Sequence, residues 1–227
     1  MKLKLFVTGT ATDIGKTYVT KHLFHFLQQQ GWRTTIFKPF QTEVLADGTY
    51  PDLESYKRDC GLSYERTSLY TFKDPVSPHL AFKREPQQHF DLQSVIDRIQ
   101  TLDAQFDIVI IEGAGGIAVP IYEGETEFYM TTDLIRETAD LVLTILPAQL
   151  GAISDAVVHH HFIQSMTLPS TLFMLNRYQH RPLEQDNLET IEKLTGQSLE
   201  VFPENGTALD FSESFLSKIK GAVNDET

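Results

Sequence analysis

Leu5-Phe6-Val7-Thr8-Gly9-Thr10-Ala11-Thr12-Asp13-Ile14-Gly15-Lys16-Thr17 is the stretch that decides the fold of this 227-residue chain. An apolar run enters a glycine-containing loop and a Gly-Lys-Thr follows. Val19, Leu23, Phe26 and Leu27 then recur at helical spacing, and Gly31 stops the pattern. A strand that feeds such a loop into a helix start builds a phosphate cradle. The loop N–H groups and the helix N-terminus surround the anion, the Lys reaches the outer phosphates, and the Thr hydroxyl reaches Mg²⁺. Five residues separate Gly9 from Gly15, one more than in the common form of the loop.

The same alternation continues outward. Residues 3–8, 34–38, 107–112, 141–146, 171–175 and 199–202 read as strands, and residues 15–30, 52–60, 95–102, 152–166 and 182–194 as helices. Pro39, Pro147 and Pro203 end three of the strands. Four consecutive β-branched residues, Ile108 to Ile111, suit a strand buried on both faces. Strands alternating with helices predict an α/β fold of the P-loop NTPase type: a mostly parallel sheet with helices on both faces. Residues 1–227 are expected to form one domain, with no repeat or linker. Residues 42–86 break the rhythm with Pro51, Pro75, Pro78 and Pro86. Long irregular segments in compact domains tend to be functional.

In such sheets ligands bind beyond the carboxyl ends of the strands. Lys38 follows the second strand, which is expected to neighbour the phosphate-loop strand; a second cation would then stand beside the phosphates. Glu112 ends the β-branched run and opens Glu112-Gly113-Ala114-Gly115-Gly116, an acid placed to hold Mg²⁺ beside glycines that admit a ligand closely. Asp52, taken alone, reads as a helix N-cap. Asn176 follows a strand where a base could sit, and its amide offers the donor and acceptor that an adenine edge requires. His159-His160-His161 cannot converge on one ion, because adjacent helix positions point about 100° apart.

Nineteen Lys and Arg stand against 31 Asp and Glu, a net charge of −12, which argues against a nucleic-acid binder. The single cysteine, Cys60, allows no intrachain disulfide and no Cys-based metal cluster. The apolar run at residues 3–7 is too short for a signal-peptide core, and no stretch approaches a membrane span, so a cytoplasmic protein without membrane contact is expected.

Several motifs together resemble the dethiobiotin synthetases, ATP-dependent carboxylases of biotin biosynthesis. Residues 8–17 resemble that family's T-G-T-D-T-x-V-G-K-T loop, five-residue spacing included. Phe37-Lys38-Pro39 resembles its Y-K-P, Ser77-Pro78-His79 its S-P-H, Glu112 to Gly116 its E-G-A-G-G, and Leu150-Gly151-Ala152-Ile153 its L-G-x-I; Pro120 falls where the family has a proline. The resemblance implies a homodimeric ligase that joins CO₂ to 7,8-diaminononanoate with ATP. It implies Lys38 and Lys16 as catalytic residues. Around ATP it implies Asp13, Ile14, Gly15, Lys16, Thr17, Tyr18, Asp52, Glu112, Gly113, Ala114, Gly115, Asn176, Pro203, Glu204 and Asn205. Thr17, Asp52 and Glu112 would hold Mg²⁺, and Thr12, Thr42, Gly116 and Ser154 would face the substrate.

The chain departs from that pattern at Ala11, where the family has a loop Asp, and at Ser154, where it has Asn. The 182–194 helix lacks a tyrosine that the family carries. Two other readings stand beside the ligase. One is a switch ATPase of the ParA/MinD kind, whose signature Lys would fall at Ala11. The other is a paralogue that binds ATP without turnover. Cobyrinate and cobyrate amide synthases share the offset loop but need a glutaminase domain that this length does not hold.

Overall fold

The β-branched run 108–111 lies fully buried within the main sheet. The computed structural model describes residues 2–224. In chain order the elements are β1 (Leu3–Gly9), α1 (Lys16–Gln29), β2 (Thr34–Phe37), β3 (Phe40–Gln41), α2 (Pro51–Cys60), α3 (Tyr64–Thr67), β4 (Tyr70–Thr71), α4 (Pro78–Arg84), α5 (Leu92–Gln105) and β5 (Ile108–Glu112). They continue with β6 (Pro120–Glu123), β7 (Phe128–Met130), α6 (Thr131–Thr138), β8 (Leu141–Pro147), α7 (Ala152–Ser165), β9 (Thr171–Tyr178), α8 (Pro182–Thr195), β10 (Glu200–Pro203), a 3-10 turn (Ala208–Asp210) and α9 (Glu213–Asn224).

Six strands form one parallel sheet in the order β10-β9-β8-β1-β5-β2. All five residues of β5 are buried, as its composition requires. Successive side chains take opposite faces. Val109 and Ile111 join a cluster with Val95 and Ile99 of α5, Ile135 of α6 and Ile163 of α7. Ile108 and Ile110 join Val19 and Leu23 of α1 and Phe215 and Ile219 of α9 on the other side. Helices therefore cover both faces. Each fully buried Ile or Leu contributes roughly 1.5–3 kcal/mol.

One expectation is corrected. β2 pairs with β5, not with β1, so β5 separates Lys38 from the phosphate-loop strand. The register still brings the ends together: Phe37 lies level with Ile111 and Val7 with Glu112. Segment 42–86 is also more regular than its prolines suggest. Pro51 takes the first turn of α2, Gly61 caps that helix in the left-handed conformation (φ +69°), and β3 pairs with β4. The hairpin β6–β7 and the helices α6 and α9 complete the described chain.

Candidate nucleotide and substrate site

The loop between β1 and α1 turns on Gly15, which has φ +90° and precedes a helix with no side-chain N-cap, so the first helical N–H groups are free for a ligand. Glycine is needed here twice over. A Cβ at this position would lie 2.4 Å from Asn176 Nδ2, besides the strain of positive φ. Asn176, buried at the end of β9, holds the loop: its Nδ2 donates to Ile14 O at 2.7 Å, and its Oδ1 accepts from Arg177 N at 2.8 Å. The amide keeps one N–H and one lone pair beyond these bonds. On the far side, Gly116 closes on the loop so tightly that a Cβ would meet Thr10 O at 3.1 Å.

Two cations and two carboxylates meet where β1, β2, β5 and α2 converge. Lys16 Nζ donates to Ala11 O across the loop at 2.9 Å. Lys38, only 4% exposed, reaches Glu112 Oε1 at 2.6 Å and Asp52 Oδ2 at 2.7 Å. Thr17 Oγ1 lies 2.8 Å from Asp52 Oδ1 and 2.9 Å from Glu112 Oε1, within reach of either with its one proton. Tyr56 donates to the other oxygen of Glu112. Burial lowers the Lys16 pKa, opposed by Glu112. Burial also disfavours the charged form of Lys38, but the Asp52 and Glu112 carboxylates outweigh it and hold the ammonium above the ordinary lysine range. Burial pushes Asp52 up; Lys38 reverses this, and its pKa ends below the ordinary carboxylate value.

A cavity of about 530 Å³ opens over this cluster. Of the residues expected at the site, Thr12, Asp13, Gly15, Lys16, Thr17, Lys38, Thr42, Asp52, Glu112, Ala114 and Gly115 line it. Ile14, Gly116 and Asn176 stand behind that lining and pack the loop, and Gly113 packs against Phe6 of β1. Tyr18 links α1 to the turn after β10: its hydroxyl donates to Gly206 O at 2.9 Å, next to Pro203, Glu204 and Asn205. Ser154 is exposed on α7 and is not brought to the cavity. His159 bonds Asp155 O within its own helix, and His160 is buried against Phe173.

The structure adds residues that the motifs did not signal. Arg177 lines the cavity from a left-handed backbone (φ +59°), and its guanidinium donates to Asp13 O at 3.1 Å. Gln41 and Glu43 flank Thr42 on the wall, while Ser77 and Pro78, which also line it, come from the Ser77-Pro78-His79 motif that the sequence did signal. The three oxygen-bearing side chains Thr17, Asp52 and Glu112 form the hard donor set that Mg²⁺ takes, and the neighbouring cavity leaves room for phosphate.

A family model described as an AAA domain matches residues 3–203. ATP-dependent dethiobiotin synthetases BioD from two strains of Staphylococcus epidermidis are 55% identical to the chain over 222 residues, covering 98% of it and 100% of their own length. A protein of the same name from Clostridium kluyveri is 30% identical over 205 residues, 84% of this chain and 81% of its own. Among solved structures, a ParA family ATPase from Chlorobium tepidum superposes with a TM-score of 0.56 at 13% identity, covering 98% of this chain and 99% of its own. The septum site-determining protein MinD complexed with Mg-ADP from Pyrococcus horikoshii gives 0.55 at 15%, with 98% and 95% covered. At those identities the superpositions establish a shared fold and nothing further.

Proposed function

This chain belongs to the family of ATP-dependent dethiobiotin synthetases, and from that premise we propose that it closes the cyclic urea of dethiobiotin from 7,8-diaminononanoate, CO₂ and ATP. One substrate amine takes up CO₂ as a carbamate. The carbamate oxygen attacks the γ-phosphoryl and releases ADP, giving a carbamic-phosphoric anhydride. The second amine then attacks the carbonyl carbon and expels phosphate. The substrate supplies both nucleophiles, so the protein's part is positioning and charge neutralisation.

The residues suit that part. The loop N–H groups and Lys16 would hold the phosphates, and Asn176 would present its remaining amide groups to the adenine near Pro203, Glu204 and Asn205. Lys38 is held protonated by two carboxylates, so it would act as a fixed cation and not as a base. Thr17, Asp52 and Glu112 would hold Mg²⁺, which supplies charge neutralisation at the phosphates when bound. Thr12 and Thr42, on the cavity wall, would face the diamine. Residues 1–227 would act as one catalytic domain, built on a single six-stranded sheet. The assembly is a homodimer in which Ser154 and the start of α7 approach the partner's substrate, and the setting is the cytoplasm. None of the described helices is long and apolar enough to cross a membrane.

The observation that carries the reading is the 55% identity over 98% of the chain to ATP-dependent dethiobiotin synthetases, and the Lys38–Asp52–Glu112–Thr17 cluster on the cavity wall supports it. That identity spans nearly the whole chain and favours the ligase over a switch ATPase. The test is ATP consumption with and without diamine and bicarbonate. Turnover should require both and should yield dethiobiotin in equal amount to ADP. Hydrolysis indifferent to both would reject the ligase in favour of the switch.

A further inference from the structure

The face of α2 that carries Asp52 carries a second polar group one turn later. Tyr56 lies four residues on, the spacing that sets two helical side chains side by side. Its ring is fully buried in the cluster formed with α1 and β5, and its hydroxyl donates to Glu112 Oε2. Glu112 is itself 0% exposed. Three donors are thus divided over two oxygens: Thr17 and Lys38 meet Oε1 at 2.9 and 2.6 Å, and Tyr56 takes Oε2. A carboxylate's terminal torsion is intrinsically broad. Hydrogen bonds to both oxygens remove that freedom and fix the plane in which the carboxylate meets Thr17.

We propose that Tyr56 is a positioning residue for the metal: it orients the Glu112 carboxylate, and so sets how tightly the Thr17–Asp52–Glu112 oxygen set takes Mg²⁺. The inference rests on the assignment of that set to Mg²⁺ made above. Without the tyrosyl oxygen, Oε2 is left buried and unpartnered. Free energy then favours turning the carboxylate toward another donor and away from Thr17. Groups that orient metal ligands in this way typically govern 10–100-fold in affinity.

Tyr56→Phe keeps the ring and deletes the oxygen. Calorimetric titration of Mg²⁺ into protein saturated with a non-hydrolysable ATP analogue reads the metal, and titration of the analogue in EDTA reads the nucleotide alone. The Mg²⁺ dissociation constant should rise by about 10-fold or more, with analogue binding in EDTA unchanged and kcat restored by excess Mg²⁺. An unchanged Mg²⁺ constant overturns the proposal even if the thermal midpoint falls, because a tyrosine that only fills the core would lower stability alone. Equal weakening of Mg²⁺ and metal-free nucleotide binding overturns it too. Should the variant not fold, fluorine NMR of protein carrying 3-fluorotyrosine in place of Tyr56 asks the same question. Its resonance should move when Mg²⁺ joins the analogue-loaded protein, and a resonance that stays put rejects the coupling. A wild-type protein that binds Mg²⁺ and analogue but makes no dethiobiotin would defeat the ligase reading while leaving Tyr56 in its role.

Discussion

With Lys38 replaced by glutamine, Asp52 and Glu112 would face each other across the site with no cation between them. Removing one member of a buried ion pair costs about 3–5 kcal/mol of stability, and Lys38 is paired on two sides. The effect on turnover should be separate and larger than the effect on nucleotide binding. Negative charge spreads over the transferring phosphoryl in the transition state, where a fixed ammonium stabilises it more than it stabilises bound ATP. Lys38→Gln should therefore lower kcat by about 10²-fold or more, read by dethiobiotin formation at saturating ATP, with ATP binding and urea unfolding followed in parallel. A variant that binds ATP poorly but turns over normally when saturated would make Lys38 a binding residue only. At this scale much of the site was legible, because the chemistry sits directly after strands: Lys16, Thr17, Lys38 and Glu112 are each placed by a local pattern. Tyr56 was not, because a tyrosine at helical spacing carries the same signal whether or not its hydroxyl meets a carboxylate. Arg177 was hidden for another reason. Its approach to Asp13 depends on a left-handed turn at the end of β9 that no glycine announces.

Among the elements, the turn from β1 into α1 bears the tightest constraint. Gly15 and Gly31 both have positive φ, +90° and +87°, at opposite ends of α1. A Cβ at Gly31 meets nothing within 4 Å, whereas at Gly15 it comes 2.4 Å from Asn176 Nδ2. Gly31→Ala should thus cost only the left-handed penalty, about 1 kcal/mol. Gly15→Ala should cost more in urea unfolding. It should also weaken ATP binding, because Asn176 must give up Ile14 O to make room. Equal losses in the two variants, with ATP binding intact in both, would mean that the Asn176 contact does not shape the loop. The elements themselves were legible wherever apolar period and a stop signal coincided, as in β5 and α1. Strand order was not. β1 and β2 both present apolar residues suited to β5, and which of them pair is a non-local choice made by the crossover, so β5 stands between them where adjacency was expected. The prolines of 42–86 also misled: Pro51 and Pro78 open helices at first-turn positions instead of breaking structure.

On the scale of the whole molecule, the cavity is bounded by this chain on the phosphate side, yet one residue expected at the substrate stands elsewhere. Ser154 and Val158 are four residues apart on α7 and both exposed, Val158 at 60%, while Ala152, Ala156, His160 and Ile163 of the same helix face inward. Leu150, just before that helix, is 81% exposed. Leu150 and Val158 are thus exposed apolar surface beside Ser154, which the proposed two-fold contact would bury. The proposed dimer makes a prediction that mass alone does not. Lys38→Gln disables a site from within its own chain, and Ser154→Arg would disable the partner's site from across the contact. Each homodimer should be nearly inactive. Unfolding and refolding the two variants together should form mixed dimers in which one site has lost both groups and the other has lost neither, so about a quarter of wild-type activity returns by random pairing. Light scattering should give twice the chain's mass throughout. No recovery, with mixed dimers demonstrated by tags of different mass, would mean that each chain holds its whole site. A fully active monomer would remove the contact altogether and return the exposed face of α7 to solvent.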